Sequence, residues 1–246
     1  MHKLGLLGRH IAYSFSRTYF KNKFEREGIK NCTYENFDIG RIELFPNIIK
    51  NTPHLRGLNV TIPYKQEVIP FLDEMDEVAE EIGAVNTIKI TKNNKLIGYN
   101  TDCYGFEKSL VPLLSSNHKS ALILGTGGAS KAIAYSLKKL GISYYFVSRS
   151  ASKQVKYIYS DLTEAIIKQH LIIINCTPLG TFPNVDDCPN IPYEAITDKH
   201  VLYDLIYNPE ETTFLKQGKA YGATICNGQR MLELQAEKSW SIWNLY

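Results

Sequence analysis

The chain opens on a short apolar run at residues 3–8, Lys-Leu-Gly-Leu-Leu-Gly, which predicts a buried strand. Polar residues follow, and Ser14 and Ser16 offer hydroxyls where a helix should begin. Phe20 and Phe24 lie about one turn apart on a single helical face, and Gly28 is a stop signal. Alternation over residues 32–39 predicts a second strand, and helical spacing returns around Ile42–Ile49. Leu55–Thr61 predicts a third strand ending at Pro63, with a helix after it through Val68 and Leu72. The order β-α-β-α-β argues for an α/β domain with a mainly parallel sheet.

The pattern then changes. Val85–Ile90 and Lys95–Tyr99 flank the turn Lys92-Asn93-Asn94 and predict a hairpin. A helix is expected from Asp102 to about Leu114, followed by a polar connection at 115–118. Ser120–Leu124 predicts a fully buried strand running into the turn Gly125-Thr126-Gly127-Gly128-Ala129-Ser130. A helix over Ala129–Leu140 presents Ala132, Ile133 and Leu137 on one face, Gly141 ends it, and Tyr144–Val147 is the next strand. This is the pattern of a β-α-β dinucleotide unit. Two more strands are expected at Leu171–Asn175 and His200–Leu205, with one trimmed element between Arg149 and Leu171. A last helix near Met231–Trp243 carries Met231, Leu234 and Trp240.

Length and composition narrow the class. At 246 residues the chain suits one large or two modest domains, and 44% apolar residues support a real core. A net charge of +3 is too mild to signal nucleic acid. The cysteines Cys32, Cys103, Cys176, Cys188 and Cys226 form no C-x-x-C pair, so neither zinc nor a disulfide framework is indicated. Reduced thiols, no apolar leader after Met1 and no membrane-length apolar run lead us to expect a cytoplasmic protein with no membrane partner and no metal.

The chemistry starts at the glycine turn. Gly125 and Gly127 permit a tight turn and a close backbone approach to a pyrophosphate, whose charge the following helix N-terminus favours. Gly128 and Ala129 complete the loop, and Ser130 stands where a third glycine is usual. At the end of the next strand an acid would hold the ribose of NAD. Here the residues are Ser148, Arg149 and Ser150, then Lys153. A guanidinium with two hydroxyls and an ammonium suits a 2′-phosphate, so the cofactor read is NADP; a solvated basic loop would look alike in isolation. Upstream, Lys65 follows a proline-bent strand end, where α/β sheets place ligands, and lysine can move a proton. Asp102 sits at a strand-to-helix junction, where its plain role is an N-cap. A cofactor loop together with a separate acid and base points to hydride transfer.

These residues fall in motifs that resemble the shikimate dehydrogenase family from end to end. Gly57–Lys65 resembles its G-x-N-V-T-x-P-x-K, Ile82–Thr87 its I-G-A-V-N-T, and Gly98–Phe106 its G-x-N-T-D-x-x-G-F. Asn175–Gly180 is similar to N-x-T-P-L-G, and Asp204–Pro209 and Gly228–Gln235 resemble the two C-terminal motifs. The resemblance implies reversible reduction of 3-dehydroshikimate to shikimate by NADPH, in a monomer or homodimer. It implies an N-terminal shikimate-binding domain at 1–102, rejoined by a C-terminal helix within 224–246, and a Rossmann-type NADP domain at 103–223. Substrate contacts are implied from Ser14, Ser16, Thr61, Asn86, Asn100, Tyr207 and Gln235. Hydroxyls would hold the carboxylate, and amides would pair with ring hydroxyls. Lys65 is implied as proton donor with Asp102 tuning it, and Thr177 and Gly228 are implied to reach the cofactor along with the glycine turn and the Ser148–Lys153 segment.

The chain also departs from the family pattern. Tyr13-Ser14-Phe15-Ser16-Arg17 replaces His-Ser-x-Ser-Pro, Lys153 replaces an arginine, and Thr181 replaces a methionine. Rival readings are a quinate/shikimate dehydrogenase with relaxed substrate or NAD use, a methylenetetrahydrofolate dehydrogenase-like enzyme, and a ligand-sensing pseudoenzyme. Arg149 argues against NAD, Ser14, Ser16 and Gln235 suit a small polyol acid better than a pterin, and intact Lys65 and Asp102 argue against a pseudoenzyme.

Overall fold

The first apolar run forms strand β1 (His2–Gly8), and the next three elements follow the pattern closely: α1 (Phe15–Arg26), β2 (Cys32–Asp38) and, after a 3-10 turn, α2 (Phe45–Asn51). The structure is a computed structural model that describes residues 1–12 and 14–244. Ser14 caps α1 by accepting the Arg17 N–H at 3.3 Å. Strands β3 (Leu55–Val60), β4 (Glu74–Met75), β5 (Thr87–Ile90) and β6 (Leu96–Tyr99) complete the first sheet, with α3 (Glu77–Ile82) before β5. The sheet order is β2-β1-β3-β5-β6-β4. β1 runs parallel to β2 and β3, while β3-β5-β6 is antiparallel, as a hairpin requires. The helix expected through Val68 and Leu72 is absent: that stretch holds turns and one 3-10 turn at Ile69–Phe71. Pro70 lies inside it, and an interior proline lacks a donor and clashes with the carbonyl four residues back.

A second sheet follows α4 (Asp102–Leu110). Its parts are β7 (Ser120–Leu124), α5 (Gly128–Lys139), β8 (Ser143–Ser148), β9 (Val155–Ile158), α6 (Glu164–Gln169), β10 (Ile172–Asn175), β11 (Val201–Asp204), α7 (Thr213–Ala220) and β12 (Thr224–Cys226). The strands pair in parallel in the order β12-β11-β10-β7-β8-β9. Ala121 and Ile123 of β7 pack with Ile133 and Leu137 of α5, while Leu122 and Leu124 pack with Ile167 and Phe214 on the other face. Burial on both faces explains why β7 and β10 read as unbroken apolar runs. Two elements, β9 and α6, occupy the stretch where one was expected, since an edge strand needs few residues and Thr163 caps α6 at once.

The described chain divides into two compact units, Met1–Thr101 with Gln235 onward, and Asp102–Leu234. The second boundary falls within α8 (Gln229–Trp243). Met231, early in α8, packs in the core of the second unit, and β12 extends its sheet. Ala236, Ile242 and Trp243 pack in the first unit with Phe20, Phe24 and Tyr34. Lys23 of α1, only 4% exposed, meets Glu237 at 2.9 Å and Glu27 at 2.8 Å, with the Trp240 ring 5.8 Å from its ammonium. The Tyr19 hydroxyl donates to Glu237 as well. Trp243 Nε1 donates to the Ile88 carbonyl at 3.0 Å. No helix among the described residues is long and apolar enough to cross a membrane.

Trp243 also lies against Gly57 of β3, where a Cβ would run into the indole. Gly57→Ala should therefore destabilise the first unit by about 1–3 kcal/mol through overpacking, read as a lower midpoint in chemical denaturation. An unchanged midpoint would mean that the helix end is not seated on β3.

Candidate active site

At the end of β7 the chain turns at Gly125, with φ of 106°, and enters α5 through Gly127 as N-cap. Gly128 and Ala129 open the helix, where the first N–H groups have no intrahelical partner. The glycine turn, Ser148 and Arg149 at the end of β8, Tyr159, and residues 176–179 after β10 line a cavity of about 310 Å³. It lies at the carboxyl ends of the strands where the order reverses between β7 and β10, the place a doubly wound sheet offers a dinucleotide.

The two glycines of the turn are needed for different reasons. A Cβ on Gly125 would stand 3.2 Å from Thr177 Cγ2 and 3.3 Å from the Cys176 backbone, on a left-handed residue. Around Gly127 no protein atom lies within 4 Å of that position, so protein packing does not demand glycine there. The open ground fits a ligand's close approach. Ser130, 1% exposed, donates to the Gly127 carbonyl at 2.6 Å, which explains how serine serves where a third glycine is usual. No acid stands at the end of β8; Arg149 is exposed at the cavity, and Ser150 and Lys153 are exposed on the connection to β9. This donor set fits an anionic, phosphate-bearing cofactor. Thr177 is fixed by Asn175, whose Oδ1 accepts its N–H at 3.0 Å and its hydroxyl at 2.6 Å.

Cys176, Pro178 and Leu179 were read only as part of the Asn175–Gly180 motif, and Tyr159 was not singled out from the sequence. Tyr159 follows β9, a strand too short to read, and so carried no signal. Its hydroxyl is buried without a partner among the described residues, and burial pushes it up to about 12, so it stays protonated near neutral pH. Gly228 is not part of this cavity wall; a Cβ there would collide with the Leu205 carbonyl, so packing requires glycine. Among the described residues no cluster of His, Cys, Asp or Glu could hold a metal ion.

In the first unit a second constellation gathers at the hairpin ends. Asn86 precedes β5, and Asn100 and Thr101 follow β6, so the antiparallel pairing sets them side by side. Asn86 Oδ1 accepts the Thr101 N–H at 2.7 Å, and its Nδ2 donates to Thr101 Oγ1 at 2.9 Å and to Gln235 Oε1 at 3.4 Å. Asn100 Nδ2 donates to the Ala84 carbonyl at 2.9 Å. Beneath them Ser239 accepts from Asn59 at 2.9 Å, lies 2.8 Å from the Thr87 hydroxyl, and donates to the Gln235 carbonyl at 2.9 Å. Every member of this cluster is buried, and buried polar groups are tolerable only when bonded. Thr87 and Thr101 were read as motif positions without a role in the site, and Ser239 was not suggested by the sequence.

The remaining site residues lie on strand exits. Ser14 caps α1, and Ser16, 9% exposed, follows within its first turn. Thr61 leaves β3 with its N–H on the Leu7 carbonyl at 2.9 Å. Lys65, half-buried in the turn beyond, has its own carbonyl bonded to the Val85 N–H at 2.7 Å. Asp102, 6% exposed, is the first residue of α4, where a helix N-terminus favours a carboxylate. Tyr207, half-buried after β11, has its hydroxyl pushed up by burial. Arg17 and Thr181 are exposed, and Tyr13 lies outside the described residues.

Known proteins are similar to this chain in sequence and fold. The family model of the shikimate dehydrogenase substrate binding domain matches residues 6–88. A shikimate dehydrogenase (NADP(+)) of Methanococcus maripaludis is 40% identical over 256 residues, covering 98% of this chain and 90% of that protein. The crystal structure of shikimate dehydrogenase from Aquifex aeolicus aligns with a TM-score of 0.88 at 35% identity, covering 99% of this chain and 92% of that one. Shikimate 5-dehydrogenase from Thermus thermophilus, solved with NADP(H) and shikimate, aligns with a TM-score of 0.87 at 28% identity, covering 99% of this chain and 94% of that one.

The two glycines of the turn give a paired test. Gly125→Ala should cost about 1–3 kcal/mol of stability, because alanine is strained at that φ and crowds Thr177. Gly127→Ala should leave stability within about 0.5 kcal/mol, yet weaken dinucleotide binding by roughly tenfold or more, read by calorimetric titration. Full binding by a folded Gly127→Ala protein would move the pyrophosphate elsewhere.

Proposed function

The chain belongs to the shikimate dehydrogenase family, and from that premise we propose that it catalyses the reversible NADPH-dependent reduction of 3-dehydroshikimate to shikimate. The observation that carries the cofactor choice is the cavity at the ends of β7, β8 and β10, with Arg149 where an acid would select NAD. Arg149, Ser148 and Ser150 hold the 2′-phosphate, and Lys153 adds charge nearby. The turn from Gly125 to Ala129 receives the pyrophosphate at the N-terminus of α5. Thr177 borders the remainder of the cofactor, and Gly228 is assigned to the same side by family likeness. When bound, NADPH supplies the hydride.

The first unit holds the substrate, and Asp102 and Tyr207 are assigned to it by family likeness. Ser14, Ser16 and Tyr207 take its carboxylate, and Asn86, Asn100, Thr61 and Gln235 orient its ring hydroxyls. The mutual bonds of Asn86 and Gln235 fix the direction in which each amide presents its polar atoms. As the carbonyl carbon gains hydride, its oxygen gains charge and takes a proton from the Lys65 ammonium. Asp102 accepts a hydrogen bond from the same substrate oxygen once protonated and steadies the lysine's charge. In the oxidative direction Lys65 takes the proton back. The scattered free thiols favour a cytoplasmic setting, and we assign substrate to the N-terminal domain and NADP to the second.

The direct check is absorbance at 340 nm with the purified protein, comparing shikimate and quinate with NADP and NAD. Shikimate with NADP should be the best pair, and a preference for NAD would contradict the reading of Arg149. Lys65→Ala should lower kcat by roughly 10²–10⁴-fold with a much smaller change in KM, because proton transfer matters mainly in the transition state. Near-full turnover by that variant would remove Lys65 from the chemistry.

A further inference from the structure

Asp204 ends β11, has no exposed surface, and has no part in the substrate and cofactor contacts assigned above. Both its oxygens are used. Oδ1 accepts Asn175 Nδ2 at 3.1 Å and the Ile206 N–H at 3.0 Å, and Oδ2 accepts the Thr212 hydroxyl at 2.6 Å. Asn175 is its partner in register on β10 and is equally buried. A side-chain amide whose NH₂ is captured by a carboxylate must turn its oxygen the other way. That oxygen is the one that takes both the N–H and the hydroxyl of Thr177, and the Thr177 hydroxyl in turn accepts the Leu179 N–H at 3.3 Å. The Leu179 carbonyl, at 3.4 Å, is a longer second acceptor for the Asn175 NH₂. If the amide flipped, its NH₂ would face the Thr177 N–H and its oxygen would face a carboxylate, so the Thr177 N–H would lose its acceptor and two acceptors would oppose each other. The consequence reaches the cavity wall: Thr177 and Leu179 line it, and Thr177 Cγ2 packs on the Gly125 turn.

We propose that Asp204 is a positioning residue for the cofactor cavity, holding the Asn175 amide in the one orientation that shapes the Thr177–Leu179 wall. The proposal rests on the NADP reading above. The cost of the arrangement is visible: burial pushes the Asp204 carboxyl up to about 6, despite the three groups that donate to it. Its neighbours Cys176 and Tyr193 are each pushed up by burial, and of the described residues no cation is among the groups that act on it. An apolar residue would avoid that cost, so the benefit of the carboxylate lies in what it directs.

The test is NADP binding by the purified full chain, titrated calorimetrically beside kcat at saturating NADP. Asp204→Leu keeps the side chain's branching, with bulkier methyls in place of the oxygens, and removes both acceptors. It should weaken NADP binding by about tenfold or more, with kcat at saturation within about threefold of wild type. Asp204→Asn can still present an amide oxygen to Asn175 and Ile206 while its NH₂ faces Thr212, and should recover binding to within about threefold of wild type. Asn175→Ala cuts the same link from the other side and leaves Asp204 bonded to Ile206 and Thr212, so it decides the matter where Asp204→Leu does not fold. It should show the same loss as Asp204→Leu. Wild-type affinity in Asp204→Leu or in Asn175→Ala, or an Asp204→Asn protein as weak as Asp204→Leu, would overturn the proposal. A wild-type protein that binds no NADP would overturn the cofactor reading itself, and this proposal with it.

Discussion

The hydroxyl of Ser239 is the point on which the first unit turns. It is fully buried, yet it accepts from Asn59, meets Thr87 and donates back to the helix carbonyl at Gln235. Such a group leaves water only where each bond is replaced, so α8 has one seat against β3 and β5 rather than a range of them. Apolar contacts then act on a register already set. Phe20 stacks on Tyr34 at 4.6 Å between ring centroids and packs against Trp243 at 5.5 Å. Lys23, buried beneath its stem and bonded to Glu27 and Glu237, ties α1 to the same helix. One turn before Ser239, the same constraint delivers Gln235 to Asn86.

In the second unit the backbone sets the outline of the site, and buried side-chain polarity fixes its wall. A parallel sheet with helices on both faces gathers its strand ends on one side, and the β7–β10 reversal opens a gap there. Gly125 can fill its corner only as glycine, because Thr177 stands opposite. Thr177 in turn is held by Asn175, so the glycine turn and the wall after β10 form one packed unit. Arg149, after β8, is the one charged side chain among the described residues that line the cavity.

Much of this was legible in the sequence. The apolar run at the start, the Ser14 cap, the hairpin before Asn100 and the strand–glycine–helix pattern all depend on local chemistry, and local chemistry is written in order along the chain. Arg149 was legible for the same reason, since it directly follows a strand. What escaped depends on distance. The seat of Ser239 joins residues from β3, β5 and α8, and Gly57 looks ordinary until Trp243 is placed against it. Tyr159 sits in a stretch whose elements are too short for periodicity to show. The helix expected at Val68–Leu72 was misread because apolar spacing was weighed and Pro70 was not.

The central claim is that the last helix of the chain completes the shikimate site by presenting the Gln235 amide beside Asn86. Gln235→Ala removes that amide and leaves the bonds of Ser239 to Asn59 and Thr87 intact. The deciding measurement is shikimate affinity by calorimetric titration, with the denaturation midpoint recorded alongside. A loss corresponding to about 1–3 kcal/mol in a protein of nearly unchanged stability is the expected result. Wild-type shikimate affinity in the folded variant would contradict the claim and place the substrate away from the hairpin ends.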